Sequence, residues 1–124
     1  YDFAFVDSNE FEEIKKIIRI LFSNGADINH QDLNGNTPLI LAVKKKNLDL
    51  VTFLILRGAD IDMANNDGIT PLHQAAFSGN EKVVDFLLKA RANPYLKNNS
   101  GATAYDFALV KGYMHIAQLI HMSM

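Results

Sequence analysis

Residues 67–80 read DGITPLHQAAFSGN, and the same phrase stands thirty-three residues earlier as NGNTPLILAVKKKN (34–47) and thirty-three later as SGATAYDFALVKGY (100–113). A fixed period of this length is the mark of a repeat architecture and decides the fold before any single residue is asked about chemistry. At that offset Gly35, Gly68 and Gly101 coincide, as do Thr37, Thr70 and Thr103, Ala42, Ala75 and Ala108, and Leu54, Leu87 and Ile120. So many residue types do not align by chance.

The middle phrase says what each segment becomes. Thr70 suits a helix N-cap, and Pro71 at the first helical position loses nothing, since its missing N–H would be unpaired there anyway. The helix runs through Leu72, Ala75 and Ala76, where small side chains admit a close neighbour. It ends near Ser78-Gly79, where glycine accepts a left-handed backbone. A second helix follows, because Val83, Val84, Phe86, Leu87 and Leu88 recur at spacings of three and four, as do Leu50, Val51, Phe53, Leu54 and Ile55. Gly25 and Gly58 close the longer helices, and the Asn-, Asp- and Gly-rich stretches after them read as projecting turns. One such helix pair cannot hide its apolar faces alone, so the units must stack. The expected fold is all-α, a short solenoid of antiparallel helix pairs with projecting β-turn or hairpin loops.

Composition agrees and excludes several functions. A chain of 124 residues, 48% hydrophobic and 21% charged, is about one water-soluble domain. The longest apolar run, Ile17 to Phe22, contains Arg19 and is too short to span a bilayer. Without cysteine there is no disulfide framework, thiolate nucleophile or cysteine-rich zinc module. A net charge of -2 gives no electrostatic reason for a nucleic-acid partner. Nothing at the start resembles a signal peptide, so a cytoplasmic, intracellular location is expected. The Asn, Ile and Lys content hints at an AT-rich genome, and with it a host-directed effector in a host cytosol.

DGITPLHQAAFSGNEKVVDFLLKARAN (67–93) resembles an ankyrin repeat, whose signature includes T-P-L-H-x-A. NGNTPLILAVKKKNLDLVTFLILRGADID (34–62) is similar throughout, SGATAYDFALVKGYMHIAQLI (100–120) less so, and EFEEIKKIIRILFSNGADIN (10–29) only in its second helix and turn. The resemblance implies one domain over residues 1–124: a degenerate N-terminal capping repeat (1–31), repeats at 32–64 and 65–97, and a C-terminal repeat (98–124). In the first full unit Ile40 and Val43 replace the expected His and Ala, and Lys46 replaces the turn glycine. In the last, Ala104, Tyr105 and Asp106 replace Pro, Leu and His. Lys46 and Arg91 are expected in left-handed backbone at a cost of about 1 kcal/mol each. Asn9 with Glu12 resembles a capping box on a solvated first helix.

Candidate chemistry is sparse. His30, His73, His115 and His121 form no i, i+4 metal pair, and no phosphate loop is present, so no catalytic, cofactor or metal site is expected. The resemblance implies that His73 hydrogen-bonds with Thr70, with Asp106 and Thr103 in a similar part. Asn98-Asn99-Ser100 fits a glycosylation sequon and reads as a polar turn. Leu21 with Asp27-Ile28-Asn29-His30 is similar to the setting in which oxygen-sensing hydroxylases modify ankyrin asparagines.

The resemblance also implies a non-catalytic protein-binding module that grips a partner protein on the concave face of turn tips and first helices. Carried over by position, that face comprises Gln31, Leu33, Asn34, Asn36, Lys44 and Lys45; then Ala64, Asn66, Asp67, Ile69, Phe77 and Ser78; then Lys97, Asn99, Ser100, Ala102, Val110 and Lys111. Phe77 with Ile69 is the expected centre, flanked by Lys44, Lys45 and Lys111, for a partner with an apolar anchor and some acidic character. The chain is expected to be a monomer, on a strip without a deep pocket. The alternative is the recruiting segment of a larger enzyme or effector, or else a self-associating unit.

Overall fold

A computed structural model describes residues 27–124 of the chain. The expected capping box at Asn9 and Glu12, the cap at Gly25 and Leu21 of the hydroxylation setting lie outside the described residues.

Six helices follow in order: α1 (Pro38–Lys44), α2 (Leu48–Leu56), α3 (Pro71–Ser78), α4 (Glu81–Lys89), α5 (Ala104–Lys111) and α6 (Met114–Met122). No strand occurs among the described residues, and none of their helices is long and apolar enough to cross a membrane. The helices pair as α1/α2, α3/α4 and α5/α6, and the pairs stack, first helix on first helix and second on second.

Side-chain caps start every described helix but the last, including the one expected at Thr70. Thr37, Thr70 and Thr103 cap α1, α3 and α5, each hydroxyl accepting the N–H three residues on at 3.2 Å. Asn47 and Asn80 do the same for α2 and α4, whereas Tyr113 offers α6 no side-chain cap. Gly79 ends α3 in left-handed backbone at φ 71°. The left-handed conformation expected at Lys46 and Arg91 is found, at φ 56° and 72°.

The core is the sum of the shared faces: Leu39, Val43, Val51, Leu54, Leu72, Val83, Val84, Leu87, Ile116 and Ile120 are buried. Each such aliphatic side chain contributes about 1.5–3 kcal/mol by leaving water. Ala42, Ala75, Ala76 and Ala108 are buried between neighbours and let the first helices approach. In α1 the substitutes Ile40 and Val43 are fully buried too, so the first unit replaces the polar His with apolar volume.

The turns are stitched together at the same period. Asp32, Asn65 and Asn98 each accept two backbone N–H groups, two and four residues on, which closes the turn. Between turns the Asn66 N–H donates to the Asn34 carbonyl and its amide to that of Leu33; Asn99 repeats this on Asp67 and Asn66. Asn29 accepts the Asp60 N–H at 2.8 Å, which gives the asparagine of the hydroxylation setting a bonding role of its own.

Candidate functional site

The second turn and the N-terminus of α3 place a buried polar knot beneath the proposed binding face. His73 is 1% exposed. Its Nδ1 lies 2.8 Å from the Thr70 hydroxyl and accepts the Thr70 N–H at 3.2 Å, completing a capping box. With Nδ1 accepting, Nε2 carries the proton and donates to the Ala102 carbonyl at 2.9 Å. The imidazole thus joins α3 to the next turn. Burial holds its pKa below the ordinary 6.5, against the opposing pull of the Ala102 carbonyl and the Asp106 charge. Asp106 takes the matching place at α5, accepting the Thr103 N–H at 2.9 Å.

Above this knot the aromatic rings form a short row. Phe107 of α5 meets the His73 ring edge-on with centroids 5.2 Å apart, and Phe77 of α3 at 6.1 Å. The Lys111 ammonium stands 4.7 Å from the Phe77 centroid, a cation–π contact. Between α3 and α5, Phe77, Phe107 and Lys111 line an open groove of about 450 Å3, with Ile69, Gln74, Ala102, Asp106 and Val110 as the other walls. The face carries an open groove rather than a deep pocket. The small Ala76 and Ala108 are buried between the helices, while the larger Phe77 and Val110 are exposed at the surface.

The groove brings together Ile69, Phe77, Ala102, Val110 and Lys111 from the expected face. Phe77 is 49% exposed and Val110 86%; Ile69 is half-buried. Phe107, Gln74 and Asp106 were missed as lining residues, although Phe107 stands one turn after Thr103 on the same helix face as Val110. Lys44, Lys45, Asn66, Asp67, Ser78, Asn99 and Ser100 do not line it. Leu33 is 99% exposed at the first turn tip, beside the exposed Asn34. Asn36 needs correction: it is 5% exposed, its side-chain Oδ1 accepting from the Asn65 side-chain amide at 3.0 Å, so the turn consumes it. Gln31 is likewise spent on the Gly35 and Ala64 carbonyls.

Among the described residues no cluster of His, Asp or Glu is placed to hold a metal ion. Two overlapping stretches, residues 8–98 and 58–123, match the family model of ankyrin repeats (3 copies). No curated protein matches the chain.

Proposed function

We propose that this chain, which belongs to the ankyrin repeat family, is a non-catalytic, monomeric, intracellular module that holds a partner protein on the face of its turn tips and first helices. Ankyrin repeats are in general protein–protein interaction modules, and the family is typically non-catalytic. The units are taken as 1–31, 32–64, 65–97 and 98–124. The observation that carries the reading is the groove between α3 and α5, an exposed apolar surface walled by Ile69, Phe77, Phe107 and Val110. Binding sites of this kind are concave and mostly apolar, with a few polar groups that set orientation. Leu33, Asn34, Asn66, Asp67, Asn99, Ser100 and Ser78 extend the face as a polar rim, with Lys44 and Lys45 at the end of α1.

Affinity capture tests it. The wild-type chain is compared with Val110→Glu, at an exposed groove wall, and with Lys89→Glu, at an exposed position of α4. Proteins held by the wild type are expected to be retained by Lys89→Glu and lost by Val110→Glu. Equal capture by all three, or loss from Lys89→Glu alone, would move the binding face elsewhere.

A further inference from the structure

We propose, resting on the groove being the binding face, that its occupant is a protein segment carrying a large apolar anchor and, within about one helical turn of it, a carboxylate that pairs with Lys111. The polar inventory of the groove is unequal. Asp106 is turned to the start of α5, where the Thr103 N–H donates to its Oδ2 and the helix N-terminus favours its charge. The Gln74 amide donates to the Ser78 hydroxyl at 3.3 Å. Lys111, in contrast, makes no ion pair with any described residue; the Phe77 ring is its contact. Among the described residues the lip of the groove therefore offers a cation without an ion-pair partner beside an apolar floor, while the Asp106 carboxylate in the walls has its Oδ2 engaged at the helix cap.

Charge complementarity follows from that inventory. An anchor side chain resting on Phe107, Val110 and Ile69 removes apolar surface from water. A neighbouring Asp or Glu then accepts hydrogen bonds from an ammonium whose exposed cation–π contact is weak and easily exchanged. Covering Phe77 excludes water from the pair and strengthens it. A basic segment would meet Lys111 as a like charge.

Selection of random peptides displayed on phage, against the wild type, Lys111→Glu and Val110→Glu, tests this. Both substituted positions are exposed, and a thermal melt of each variant checks that the fold is kept. Peptides recovered on the wild type are expected to join a Leu, Met or Phe to an Asp or Glu, to bind Lys111→Glu about tenfold or more weakly, and to bind less tightly as salt rises. On Val110→Glu they are expected to lose binding altogether. Peptides that are apolar without acidic residues, or that carry Lys or Arg, and that ignore Lys111→Glu while still failing on Val110→Glu, would overturn the acidic occupant and leave the groove reading standing. Binding indifferent to Val110→Glu, or no peptide enriched on the wild type over that variant, would overturn both.

Discussion

The inner pair α3/α4 and the outer pair α5/α6 are written in the same phrase and live in different surroundings. In the inner pair Leu72 and Ala76 are sealed, at 1% and 0% exposure. Their counterparts Tyr105 and Leu109 are part-exposed, Leu109 to 39%. The turn glycines show the same contrast. A methyl group on Gly68 would stand 2.7 Å from the Asn99 backbone nitrogen, and one on Gly101 would meet nothing within 4 Å. Gly79 is roofed by the Tyr113 ring, whereas Gly112 is open. The same residue is thus a steric necessity in one unit and only a conformational convenience in the next, according to what lies on top of it.

The widest gap between the two pairs is expected at their third helical positions. His73→Ala removes the capping box and the bond to Ala102, and leaves a buried void, so it should cost about 3 kcal/mol. Asp106→Ala removes a cap at a half-buried position and should cost about 1 kcal/mol. Urea unfolding of both variants checks this, and equal losses would mean that the link to Ala102 adds nothing. A smaller gap is expected at the glycines. Both Gly68 and Gly101 have positive φ, so either alanine costs about 1 kcal/mol of backbone strain. Only Gly68→Ala also forces the Asn99 turn away, roughly doubling the loss.

The smallest contrast is in pH. His73 has a lowered folded-state pKa, so on acidification the unfolded chain takes up its proton first. Its contribution is fully present above about pH 6.5, the unfolded value, and is lost as pH falls through the lowered folded one. Protonated Nδ1 could no longer accept from Thr70. The stability of the wild type is expected to decline below that pH more steeply than that of His73→Gln, as read from unfolding midpoints across a pH series. Parallel profiles would place the acid sensitivity elsewhere.

Much of this was legible in advance because it is local. The caps at Thr37, Thr70 and Thr103 and the left-handed Lys46 and Arg91 are settled within four residues, where periodicity and capping chemistry speak directly, and the equally local His73 bond to Thr70 was implied by the family resemblance. The misreadings were of longer range. Asn36 looked like a turn-tip surface residue, yet Asn65, twenty-nine positions away, takes its side chain. Phe107 was not singled out in the sequence, and only its meeting with His73 and Phe77 reveals it as a groove wall.

The thirty-three-residue period, by itself, determined that helix pairs form and must stack, since no single pair can bury its own apolar face. Which residues lie open between the stacked pairs was left to the tertiary structure. That outcome depends on which side chains of separate units meet, as Phe107 meets His73 and Phe77 across α3 and α5, and no local pattern encodes such a meeting.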